Sequence, residues 1–233
     1  MAKLILKAGL DTWSGTAKDT LIAARISELT LCGAKDISDS RKYLLNAFIK
    51  NDDLASSLKN ESRQVVFSFI RKTENAFNEY CFARANLIDY LKTMNKTVTP
   101  YFRSLAHFEN CIMHLYQAST FFGALSGEKI FKKGDGSFFA RLNPMYNQVK
   151  HIEAYPQLRT FRDKGSFEAF IKYQNEFSSM TPQEVGDLST TPIWITNSAI
   201  ESKTATVSFA ELSNQIMEYY VEAAAIATHD VSQ

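Results

Sequence analysis

Apolar residues recur at intervals of three and four over most of the first two-thirds of the chain, which is the period of an amphipathic helix. A first helix is expected from Thr16, whose hydroxyl can cap free amides with Asp19 three residues on, through Leu21, Ile22, Ile26 and Leu29 to a stop at Gly33. A shorter helix covers roughly Ser38 to Lys50 and would bury Tyr43, Leu44, Ala47 and Phe48. The longest runs from about Glu61 to Met94. Its stripe is Val66, Phe69, Thr73, Phe77, Tyr80, Leu87, Leu91 and Met94, and no Pro or Gly interrupts it. After a break at Asn95 and Thr97 to Pro100, residues Tyr101, Leu105, Phe108, Ile112, Leu115 and Phe122 mark a second long helix that ends near Gly127. The two long helices are expected to pack antiparallel.

A basic, Gly-rich loop from Glu128 to Gly136 leads into a helix from about Ser137 to Ala154, striped by Phe139, Leu142, Met145, Val149 and Ile152 and carrying Pro144 inside it. Beyond Tyr155-Pro156 the texture changes: residues 160–190 offer one short helix around Phe167 to Asn175 and a surface loop from Thr181 to Thr191. Pro192 to Thr196 and Thr204 to Ser208 are rich in β-branched residues and bracket a turn-like Asn197 to Lys203, which predicts a small hairpin over 192–208. Ser208 and Glu211 form a capping box that opens a final helix over 209–228, through Leu212, Ile216, Tyr219 and Val221. The fold class is therefore mainly α: an antiparallel helical bundle with long helices and one small β-hairpin near the C-terminus, in a single domain over 1–233.

Composition narrows the function classes. Charged residues at 22% and a mean hydropathy of -0.21 describe an ordinary soluble globular protein. With 26 Lys and Arg against 25 Asp and Glu, no global field draws the molecule to nucleic acid, so any basic site must be local. One candidate strip exists: Lys129, Lys132, Lys133, Arg141 and Lys150 fall within 22 consecutive residues. The three cysteines, Cys32, Cys81 and Cys111, form no C-x-x-C, and their odd count fits a reducing compartment. The first ten residues lack a signal-peptide pattern and no window reaches eighteen uninterrupted apolar residues, so a cytoplasmic protein without a membrane span is expected.

Several chemistries are missing from the text of the chain. There is no phosphate-binding G-x-x-x-x-G-K-S/T, no G-x-G-x-x-G, no G-x-S-x-G, no H-E-x-x-H, and no Glu-x-x-His pair for a di-iron bundle. His107, Cys111 and His114 share one face of the second long helix, but the outer two lie about 10 Å apart along the axis, too far to close on one zinc ion. No metal site and no cofactor are expected. Arg84 interrupts the apolar run of the first long helix; such an Arg pairs with a carboxylate at the core margin or faces a phosphate in a cleft.

The stretch Tyr146-Asn-Gln-Val-Lys-His151 carries the most chemistry. Asn147, Lys150 and His151 lie within one helical turn, so a group that titrates near neutrality sits beside a fixed cation and an amide donor. That set suits holding a phosphodiester and moving a proton at the ribose 2′-hydroxyl; a solvated helix face is the plainer reading of the same residues.

Tyr146-Asn147-x-x-x-His151 resembles the signature of HEPN (higher eukaryotes and prokaryotes nucleotide-binding) domains, helical bundles in which an Arg, commonly followed by Asn, precedes a His by four to six residues on the last long helix of the core. The resemblance covers about residues 60–154 and leaves 155–233 as a C-terminal extension. It implies an RNA- or nucleotide-binding homodimer in a stress or defence system. It further implies a metal-independent endoribonuclease, or a catalytically impaired relative of one, with catalytic positions His151, Lys150 and Asn147. The binding positions are Tyr146, Arg141, Lys132 and Lys133. Where the family's ribonucleases carry Arg this chain has Tyr146, which brings no positive charge; Lys150 is one turn further on, and Arg141 is about 15 Å from His151 along the helix. The alternative class is a non-enzymatic interaction module with a protein partner, suggested by 17 Phe and 10 Tyr, with pairs such as Phe121-Phe122, Phe138-Phe139 and Tyr219-Tyr220.

Overall fold

Two long helices, α3 (Asn60–Lys92) and α4 (Thr99–Ser126), organise the chain because each carries a stripe of small residues at seven-residue spacing. Ala76 and Ala83 of α3 and Ser104, Cys111 and Ala118 of α4 are all fully buried. Small side chains let the backbones come close, and the Ser104 hydroxyl donates to the Ala83 carbonyl at 2.8 Å. Tyr90 packs on Tyr101, Tyr80 on Phe108 and Phe69 on Phe122, so the pair is antiparallel as the periodicity predicts. The computed structural model describes Leu31, residues 33–92, 99–132, 134–150, 193–202 and 204–228, without the side chains of Ala55 and Trp194. The expected helix starting at Thr16, the segments Phe167 to Asn175 and Thr181 to Thr191, Lys133 and His151 lie outside the described residues.

Ahead of this pair come a 3₁₀ turn at Ser38–Ser40, α1 (Leu44–Lys50) and α2 (Asp52–Ser57), the last capped by the Asn51 side chain, which accepts from the Leu54 amide. The predicted helix over Ser38 to Lys50 is thus divided, and Tyr43, expected in the core, is 73% exposed. The cause is tertiary. The Tyr220 hydroxyl accepts from the Lys42 amide and donates to the Lys42 carbonyl, holding that backbone out of a helix. Helical phase starts only at Leu44, so Leu44 and Phe48 point inward.

Helix α4 closes where the sequence places it, at Gly127, whose φ of +73° suits glycine. The chain then folds back so tightly that a Cβ on Gly123 would lie 2.9 Å from the Glu128 carbonyl oxygen. Asp135 shapes the basic loop by accepting from the amides of Lys132 and Ser137, and Ser137 accepts from the Ala140 amide to start α5 (Phe138–Lys150), which continues through Pro144.

The C-terminal β element is a meander, β1 (Trp194–Ile195), β2 (Ala199–Glu201) and β3 (Thr206–Ser208), paired antiparallel in that order. The Asn197 to Lys203 segment, expected as a turn within a hairpin, holds the middle strand. Two tight turns make this possible, closed by Thr196 N–H to Ala199 O at 2.9 Å and Ser202 N–H to Ala205 O at 2.8 Å. Ile195, Ile200 and Val207 are buried.

Helix α6 (Phe209–Ala227) opens with the predicted capping box, in which Ser208 accepts from the Glu211 amide and Glu211 reaches back to the Ser208 amide. Its aromatic residues fill the groove of the α3–α4 pair: Phe209 meets Phe108, Tyr220 stacks on Phe77, and Tyr219 touches Phe69, Phe122 and Phe139. The molecule is mainly helical, with six α-helices and one small sheet among the described residues. No described helix is long and apolar enough to cross a membrane.

Candidate functional site

Helix α5 lies along one side of α4, antiparallel to it, with Phe139 near the Phe122 end and Tyr146 beside Tyr116. Leu142, Met145 and Val149 are buried beneath it, which turns Asn147 and Lys150 outward. Tyr146 stacks on Tyr116 with ring centroids 4.2 Å apart and planes inclined by 18°. The Lys150 ammonium lies 5.6 Å from the Tyr146 ring centroid, a cation–π distance. Tyr146 is therefore half of an aromatic stack, and the neighbouring cation lies within reach of its ring. Asn147 faces solvent, its amide 3.4 Å from the Asn143 side-chain oxygen.

The other members of the expected strip diverge. Arg141 is committed to the fold: its guanidinium makes a two-pronged contact with the Glu211 carboxylate and a 3.2 Å hydrogen bond to the Thr206 carbonyl. That contact, with added bonds from Ser208, holds the Glu211 carboxyl down at about 2. Lys132 is exposed in the loop. The α5 face thus gathers Tyr146, Asn147 and Lys150, while Arg141 ties α5 to the start of α6.

On the same side of α4 as Tyr116, two helical turns earlier, Glu109 is half-buried and has no hydrogen-bond or ion-pair partner among the described residues. Burial pushes its carboxyl up to about 7. Because α5 runs antiparallel, Lys150 lies beyond the tyrosine stack in the direction of Glu109.

The residues His107, Cys111 and His114 are split by burial. Cys111 is enclosed against α3, and the two imidazoles flank it at the helix edge. His107 meets Glu79 at 2.7 Å, and Asn110 approaches the same oxygen at 3.5 Å. His114 Nδ1 lies 3.5 Å from the Lys72 ammonium. Among the described residues no three metal-ligating side chains converge. Arg84 takes the first of its two readings, at the core margin: it pairs with Asp36 at 2.6 Å and donates to the Ala34 carbonyl at 3.0 Å.

Glu109, Glu79 and Lys72 are not singled out by any motif. A signal for two of them exists, since Lys72 and Glu79 are seven apart on α3, matching His107 and His114 on α4 once the helices are antiparallel. Compared with protein-family models, curated proteins and solved structures, the chain finds no match.

Proposed function

We propose that this chain is a HEPN-like helical-bundle protein that binds RNA or a nucleotide through the outer face of α5, with Lys150 as the phosphate-contacting cation and Asn147 as an amide donor. The observation that carries this reading is the placement of Lys150, exposed, without a carboxylate contact among the described residues, and held over a tyrosine that is itself clamped. A positioned, unpaired cation loses little freedom on meeting a phosphate. Binding is favoured over cleavage, because Tyr146 carries no positive charge and Arg141 is engaged in the Glu211 pair, so neither supplies a free charge for a phosphorane-like transition state. The unit that this reading expects is a homodimer.

The test is RNA binding and metal-free cleavage by wild type, Lys150→Ala and His151→Ala. Binding weakened by Lys150→Ala without any cleavage supports the reading. Metal-free cleavage lost in both variants restores the ribonuclease, and no binding to any RNA or nucleotide removes the RNA branch.

A second reading, an interaction module, is favoured by apolar side chains left outside on the contacting helices α1 and α6: Ile49 is 57% and Val221 60% exposed, and Tyr43, just ahead of α1, is exposed as well. If a dimer seen by analytical ultracentrifugation falls apart in Val221→Glu, this surface is an interface.

A further inference from the structure

The antiparallel register of α3 and α4 sets two pairs of polar side chains along their open edge, about 10 Å apart because each pair is seven residues from the next. One level is charge-balanced: Glu79 receives His107 and Asn110. The other level holds Arg71, Lys72 and His114, and among the described residues none of these contacts a carboxylate. The Arg71 guanidinium lies 5.8 Å from the Phe67 ring centroid. Lys72 can only donate, so its 3.5 Å approach requires His114 Nδ1 to accept, with the imidazole neutral and its proton on Nε2. One turn further along α4, the Gln117 side-chain oxygen is buried and meets no hydrogen-bond geometry among the described residues.

Lys72 and His114, both half-buried, together with the exposed Arg71 beside them raise one another's electrostatic cost, and an anion relieves it. We propose that Arg71, Lys72 and His114 form a binding site for a phosphoryl group, carried by a nucleotide or by an RNA strand. The site lies on the side of α4 away from α5, since His114 and Tyr116 are about 200° apart around the helix, so it stands independently of the α5 reading. Its charge state fits an empty anion site. Burial, and then the Arg71 charge, pull Lys72 below its usual range; burial, and then Lys72, pull His114 down, opposed by Glu79 and Gln117. When a phosphate takes up the Lys72 ammonium, His114 gains a proton. Nδ1–H then donates to the anion, while the Nε2–H already present in the neutral ring stays available to the Gln117 side chain.

An aromatic side chain on the same open edge distinguishes the two sources of phosphate. Phe82, 45% exposed, is flanked by the Arg41 guanidinium at 5.9 Å and the His107 ring at 5.5 Å from its centroid. It lies ten residues from Lys72, about 15 Å along α3, beyond the reach of a mononucleotide held by its phosphate but within that of a strand.

The experiment follows the imidazole ¹⁵N and ¹H resonances of the full chain with inorganic phosphate, AMP and an oligouridylate. The expected result is a His114 pKa raised by about one unit on binding, and phosphate affinity about fivefold higher at pH 6 than at pH 8. Lys72→Met and Arg71→Gln should each weaken AMP about tenfold, while Lys59→Met, a remote exposed lysine, should not. Weaker oligouridylate binding in Phe82→Ala with AMP unchanged assigns the site to RNA, and binding of both ligands unchanged in Phe82→Ala assigns it to the nucleotide. A His114 resonance that ignores all three ligands, or wild-type AMP affinity in folded Lys72→Met and Arg71→Gln, overturns the proposal. Lys150→Ala tests the α5 face separately, so the two sites fail independently.

Discussion

The two helices laid against the α3–α4 pair are held by different physics. Helix α6 is inserted through Phe209, Tyr219 and Tyr220, all buried and each in contact with an aromatic ring of α3 or α4. Helix α5 is held by a short apolar stripe, one half-buried tyrosine stack and polar ties at its rim, Arg141 to Glu211 and Gln148 to Thr204 at 3.1 Å. The first arrangement excludes water and leaves no chemistry over. The second leaves Lys150 and Asn147 outside and Glu109 half-enclosed without a partner among the described residues, so reactive groups gather where packing is least complete.

The sharpest test of that difference is truncation of one tyrosine from each helix. Tyr219→Ala should cost about 3–5 kcal/mol in urea unfolding, since it empties a site lined by three phenylalanines, while Tyr146→Ala should cost about 1–2 kcal/mol. Equal losses would mean that α5 is as firmly anchored as α6.

Next is Glu109. Its folded pKa of about 7 lies above the ordinary value of 4.5, so the folded state holds the proton more tightly and stability declines as pH rises from 4.5 through 7. Glu109→Gln should therefore stabilise the protein by about 2 kcal/mol at pH 8, with no gain at pH 4, as read from denaturation midpoints. A flat difference across that range would place a cationic partner at Glu109.

Glu211 has the opposite sign. Its carboxyl is held at about 2 against an ordinary 4.5, so its contribution is complete above 4.5 and is lost as pH falls towards 2. Because the pair is over a third exposed, Glu211→Ala should cost only about 1 kcal/mol at pH 7, much of it from the capping box. A loss as large as that of Tyr219→Ala would make the rim tie, not the aromatic insertion, the main anchor of α6.

The smallest effect is at His114, whose folded value is depressed below 6.5. The unfolded chain takes up that proton first, so stability should fall slightly as pH drops through 6.5 towards the folded value, and His114→Gln should remove the slope.

Much of the fold was legible because its signals are local. The long apolar periods of α3 and α4, Gly127 as a stop, and Ser208 with Glu211 as a capping box each involve neighbours in sequence. Tyr43 and the middle strand were not legible: the hydroxyl that holds Lys42 belongs to Tyr220, and β2 exists through pairing to strands on both sides. The candidate site divides the same way. Tyr146, Asn147 and Lys150 sit on one helix and could be grouped by spacing, whereas Arg141 could not be known to face Glu211, 70 residues away.

What the sequence determined by itself is therefore periodic and one-dimensional: which residues share a face, where helices start and stop, and that a basic strip exists within a nearly neutral chain. Only the tertiary structure decided which charges have partners. Pairing depends on distances between helices, which the antiparallel register sets, and that register joined Glu79 to His107 while leaving Arg71, Lys72 and His114 without a carboxylate in contact among the described residues.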